Sequence, residues 1–193
     1  MAQDLKGKKV AALVTDGFEQ VELTEPREAL QRAGAEVEVI SPGGGDVKGW
    51  NHTDWGQRIK SDRDLALARP DQYDALLLPG GVMSPDKLRI NPQAVAFVKA
   101  FADAGKPIAA ICHGPWTLIE AGAVRGRRVT SYPSLRTDLV NAGATWVDEE
   151  VVTDRGLVTS RNPGDIPAFN RKAIEEIAEG VHAVGAGQRS QQR

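Results

Sequence analysis

The chain has 193 residues, of which 41% are hydrophobic and 26% charged, with a formal net charge of -2. This suits one sizeable α/β domain, expected over residues 1–182, with a polar and flexible tail at 183–193. No basic stripe speaks for a nucleic-acid partner, and no run is apolar and long enough for a leader or a membrane span, so neither partner is expected and the cytoplasm is the expected location.

In chain order, residues 8–14 read as a strand buried on both faces. Residues 21–33 carry helical apolar spacing at Val21, Leu23, Ala29, Leu30 and Ala33, with Pro26 early enough to be tolerated. Residues 36–40 alternate as a second strand, and 41–64 form a polar excursion or small hairpin. A third buried strand is expected at 73–78, ending in Pro79-Gly80-Gly81. A helix follows over 91–104, with Asn91 as N-cap and Pro92 at its first position. Next come the apolar strand that starts at Pro107, a helix over 116–121, a short strand near Val129 and a helix over 134–142. A hairpin at 151–153 and 157–159 and a last helix over 165–179 complete the pattern. Strands alternating with helices of this length predict a doubly wound, mainly parallel sheet.

Cys112 is the chain's only cysteine, which excludes an internal disulfide and a cysteine-based structural zinc within one chain. No cofactor or metal is expected. Cys112 stands where the fourth strand breaks into a helix, with Ala110 and Gly114 two places to either side. Small residues at that spacing allow the sharp bend of a nucleophile elbow. The helix N-terminus should favour a thiolate and lower the thiol pKa. The bland alternative is a buried structural cysteine.

In such sheets, sites form beyond the carboxyl ends of the strands. Glu19, after the first strand, could approach Cys112 there and exchange a proton with it; alternatively it is a solvated loop acid. The N–H groups of Gly81 and His113 could form an oxyanion hole. His113 follows Cys112 directly. Adjacent side chains diverge on a turn, so it reads equally as a base or as a surface residue. Trp50, His52 and Trp55, clustered in the polar excursion, suggest an aromatic wall or a subunit contact, and Trp116 opens the helix beyond the elbow.

Taken in order, Asp16-Gly17-Phe18-Glu19-Gln20-Val21-Glu22-Leu23, Leu78-Pro79-Gly80-Gly81, Ala110-Ile111-Cys112-His113-Gly114-Pro115, Thr130-Ser131-Tyr132-Pro133 and Asn141-Ala142-Gly143-Ala144 resemble the PfpI intracellular peptidase family. That family lies within the superfamily of the parkinsonism-associated deglycase, and the Trp50 to Trp55 segment is most similar to its general-stress-protein branch. The resemblance implies a flavodoxin-like three-layer sandwich with Cys112 as nucleophile and Glu19 as the acid hydrogen-bonded to it. It also implies that an acid from a neighbouring subunit completes His113, a role that falls here on Asp86. A homo-oligomer is therefore expected, a dimer at least and a hexamer by analogy.

Two functions follow as expectations. One is a stress-response cysteine hydrolase whose substrate is a peptide or a small carbonyl compound such as methylglyoxal or a glycated amine. The other is a redox sensor or protective protein without turnover, acting through oxidation of Cys112.

Overall fold

The computed structural model describes residues 3–183, so nearly all of the expected tail lies outside the described residues. A seven-stranded sheet runs through the centre in the order β10-β11-β7-β6-β1-β2-β5. Its strands are β1 (Lys9–Leu13), β2 (Glu36–Ser41), β5 (Arg63–Asp64), β6 (Ala75–Leu78), β7 (Ile108–Ile111), β10 (Val152–Asp154) and β11 (Leu157–Ser160). All pairings are parallel except that of β10 with β11.

The three central strands are buried on both faces because helices cover both. Ala11, Leu13, Leu76, Leu78, Ile108 and Ala110 point into one core. Val10, Ala12, Ala75, Leu77, Ala109 and Ile111 point into the other. This is the period of two that a strand imposes. On the first face lie α3 (Pro92–Asp103), α4 (Pro115–Glu120) and α5 (Arg136–Asn141), contributing Phe97, Phe101, Leu118 and Leu139. On the second lie α1 (Gln20–Arg32) and α6 (Ile166–Glu179), contributing Leu23, Leu30, Phe169 and Ile177. Phe101 and Phe169 are fully buried, and truncating either to alanine should cost about 3–5 kcal/mol.

Local signals explain the element ends. The Asn91 side chain accepts hydrogen bonds from the N–H groups of Gln93 and Ala94, with Pro92 at the first helical position. α1 runs on through buried Pro26, which removes the donor that the Glu22 carbonyl would otherwise receive. The polar excursion is a separate hairpin of β3 (Asp46–Asn51) and β4 (Asp54–Lys60). The strand near Val129, β8 (Arg128–Val129), pairs with β9 (Thr145–Trp146) outside the main sheet. β5 at the sheet edge, β9, and α2 (Met83–Leu88), a short helix in a stretch to which the sequence reading assigned no element, were not anticipated; each is too short to show a period. Among the described residues, no helix is long and apolar enough to cross a membrane.

Candidate active site

The neighbouring strands β7, β6 and β1 end side by side, and each delivers one part of the site. After β7 the chain turns sharply at Cys112, whose φ of 61° is left-handed. Such a conformation costs about 1–3 kcal/mol in a residue with a side chain and persists only where the surroundings enforce it. Here the Cys112 N–H donates to the Ser160 carbonyl at 3.0 Å, and the Cys112 carbonyl accepts from the Tyr132 N–H at 3.0 Å. The elbow therefore forms as the small-residue spacing predicts. Its sulfur is enclosed and receives the backbone N–H groups of Gly81 and His113. These are the two donors the sequence singled out for an oxyanion hole.

The acid beside the sulfur is Glu22, and this corrects the expectation for Glu19. Glu19 stands at the N-cap position of α1 without a side-chain capping bond, and its Oε1 instead accepts the His52 N–H at 3.2 Å. It thereby ties the β3–β4 turn to the helix. One turn further on, Glu22 is fully buried, on the same helical stripe as Leu23, Pro26 and Leu30. Its Oε1 accepts the Gly80 N–H at 3.0 Å. Its Oε2 is enclosed and has no partner of good geometry, while the Cys112 side chain sits against the same carboxyl. Burial, and after it the charge of Glu19, push the Glu22 pKa up to about 8. A neutral carboxyl at pH 7 accounts for the arrangement: one oxygen accepts from Gly80, and the other carries a proton that it can donate. The sequence held the signal, since helical spacing places Glu22 among buried positions, where an acid is out of place.

The thiol is not acidified as the elbow suggested. Burial pushes the Cys112 pKa up and the Glu22 charge adds to it, against the pull of the Gly81 and His113 N–H groups. The helix beyond the elbow, α4, has only six residues and offers a weak dipole. The proton must therefore be removed, and His113 is placed to do so. Its Nδ1 lies 3.1 Å from Cys112 Sγ, and burial lowers its pKa, keeping the ring neutral. The expected divergence of adjacent side chains does not occur, because the left-handed turn at Cys112 brings the two together. His113 stacks on Tyr132, with ring centroids 4.7 Å apart, and its Nε2 lies 3.3 Å from Ser134 Oγ.

Asp86 does not meet His113 within one chain. It is half-exposed and accepts two hydrogen bonds from Arg89, at 3.0 and 2.7 Å. Arg89 in turn lies over the Trp116 ring, which meets His113 edge-on.

The site opens into a cavity of about 540 Å³. Trp50 and His52 line it as expected, with Glu19, Met83, Tyr132 and Pro163. Trp55 and Trp116 do not line it. Trp55 is exposed and packs edge-on against Trp50, and Trp116 lies behind His113, donating its indole N–H to Asp138. The sequence marked Tyr132 only as part of a motif, without a role, and missed Pro163; both come from loops, where no period marks them.

The chain has relatives of similar sequence and fold. The profile of the DJ-1/PfpI family matches residues 8–176. The chain belongs to the DJ-1/PfpI family. It is 46% identical over 169 residues to protein/nucleic acid deglycase 2 of Escherichia coli, covering 86% of this chain and 96% of that protein. It is 48% identical over 170 residues to general stress protein 18 of Bacillus subtilis, covering 87% of this chain and 96% of that one. Among solved structures, DJ-1beta of Drosophila melanogaster superposes with a TM-score of 0.81 at 34% identity, covering 89% of this chain and 90% of that one.

For this member of the DJ-1/PfpI family, the site combines a protonated thiol, a neutral base on one side and a neutral acid on the other. Two N–H donors stand ready for negative charge. That set can add sulfur to a carbonyl carbon while a proton moves in each direction.

Proposed function

We propose that the chain is a cysteine-dependent hydrolase of small reactive carbonyl compounds, with methylglyoxal or its amine adducts as substrate class. The observation that carries this reading is the neutral, enclosed carboxyl of Glu22 against the Cys112 thiol. His113 Nδ1 takes the thiol proton as sulfur bonds to the aldehyde carbon. The carbonyl π pair moves to oxygen, which Glu22 protonates and the Gly81 and His113 N–H groups hold. Ionised Glu22 then removes the hydrogen of that carbon as a proton and returns it to the neighbouring ketone carbon, while the hydroxyl proton on the first carbon's oxygen passes to the ketone oxygen. The first carbon is thereby oxidised to a thioester and the second reduced to an alcohol, with no outside oxidant. Water splits the thioester, releasing lactate and restoring the thiol. An amine adduct enters the same path by losing its amine as sulfur adds. The deglycase name of the Escherichia coli relative supports the reading.

Peptide cleavage would need an imidazolium steadied by a carboxylate. Within one chain, His113 Nε2 meets only Ser134, and Asp86 is bound to Arg89. The proposal includes a homodimer at least, in which Asp86 stays paired with Arg89 and completes no triad at His113; sedimentation at micromolar concentration tests the assembly. The redox alternative needs a standing thiolate, which burial of Cys112 opposes. The proposal includes a cytoplasmic location; a stress-protective role accords with the name of general stress protein 18. The deciding assay supplies methylglyoxal, a glycated amine and a peptide in parallel, with Cys112→Ser as control. Many lactate molecules per chain support the proposal. Consumption that stops at one equivalent per thiol contradicts it.

A further inference from the structure

A second cluster of ligating side chains lies at the opposite end of the sheet, and the reaction above does not use it. Glu176 and Glu179 are one turn apart at the end of α6, and His182 follows just beyond. Their ligand atoms all lie within 4.8 Å of one another. His182 Nε2 is 3.1 Å from Glu176 Oε2 and 3.8 Å from Glu179 Oε2. Ligands on a tetrahedral ion with bonds of about 2.0–2.1 Å sit roughly 3.3 Å apart, so these separations bracket what such an ion requires.

Three features mark the cluster as built. Among the described residues, His182 Nε2 is enclosed and makes no aligned hydrogen bond, despite the carboxylate beside it. An enclosed ring nitrogen without an aligned hydrogen-bond partner is available to ligate an ion. The His182 backbone is fixed, its N–H donating to the Gly105 carbonyl at 2.8 Å. Its ring fills the space over Gly156, where a Cβ would come within 2.7 Å of Cδ2. Gly156 has a φ of +83° as well, so a side chain there would be both strained and obstructing. Finally, the Glu176 side chain is only 9% exposed, an unusual depth for an acid, while Glu179 is half-exposed and leaves the site open on one side.

We propose that Glu176, Glu179 and His182 bind one divalent transition ion, of which zinc is the representative. One neutral imidazole and two carboxylates balance its two charges, and the open side leaves a position for water. The ion would pin the end of α6 to the turns before β7 and β11, joining three elements at the end of the sheet remote from Cys112.

The test uses the full chain with Cys112→Ser, which removes the strongest competing ligand, and titrates zinc against a chromophoric chelator. One zinc per chain and a zinc-dependent rise in Tm are expected. Adding His182→Gln or Glu179→Gln, each at the chain's periphery, should weaken binding about tenfold or more and abolish the rise. A simple ion pair would lower Tm in the variants with no zinc dependence. Absence of saturable binding, or equal binding in either variant, would overturn the site.

Discussion

Glu22 and Cys112 meet in the space left by the missing side chain of Gly80. A Cβ on Gly80 would lie 2.6 Å from Glu22 Oε1 and 2.6 Å from Cys112 Cβ. The close approach of acid and thiol therefore depends on a glycine at the end of β6. Gly80→Ala should fold less stably and lose activity even if Cys112 and Glu22 are intact, which a kcat measurement beside a thermal melt would show.

The exchange of Glu19 for Glu22 as proton donor separates two variants. Glu22→Gln keeps the shape and removes the proton, so turnover should fall by about 10²–10⁴. Glu19→Gln should instead loosen the His52 turn and raise KM more than it lowers kcat. In the parent chain kcat/KM should decline as pH rises through about 8, where Glu22 ionises. That alkaline limb should be absent in Glu22→Gln; its persistence there would assign it to another group.

The same carboxyl gives a stability signature. Its folded pKa of about 8 lies above the ordinary 4.5, so the folded state holds a proton that the unfolded chain gives up. The contribution is full below pH 4.5 and is lost as pH rises through 8. Urea unfolding at pH 5 and pH 8 should show a loss of a few kcal/mol that Glu22→Gln removes.

Glu38 behaves in the opposite sense. Burial opposes its charge, but hydrogen bonds from Lys9, Tyr73 and Arg63 hold its pKa at about 2. Its stabilisation is present above pH 4.5 and lost as pH falls toward 2. Glu38→Gln should flatten the acid limb of the unfolding curve between those values while leaving kcat at neutral pH unchanged.

Much of the fold was legible because its signals are periodic. The alternation over residues 36–40 and the capped helix at Asn91 needed no partner to be recognised. The elbow was legible because the small residues Ala110 and Gly114 leave room for the sharp bend at Cys112. The acid was misplaced because position after β1 was weighed above helical phase, which puts Glu22, not Glu19, on the buried stripe. The thiol's environment was not legible at all. It depends on the shortness of α4 and on Ser160 and Tyr132 closing over the elbow, which are tertiary facts. Trp55 and Trp116 were drawn toward the cavity by composition, whereas each serves as backing for a residue that reaches it.

His113 should act as the base rather than as a structural ring. His113→Gln should lower kcat by about 10²–10⁴, because the thiol, its pKa pushed up by burial, must then ionise unaided. Ser134→Ala, which removes only the 3.3 Å contact at Nε2, should change kcat far less. Stopped-flow measurement of thiohemiacetal formation across pH distinguishes the two.

The central claim is turnover by Cys112 with the Glu22 proton. The most direct measurement counts lactate formed per chain from excess methylglyoxal, in the parent, Cys112→Ser, Glu22→Gln and Glu19→Gln. The account predicts many equivalents in the parent, none in Cys112→Ser, a severe loss in Glu22→Gln and substantial activity in Glu19→Gln. A parent that stops at one equivalent, or a Glu22→Gln chain as fast as the parent, would contradict it.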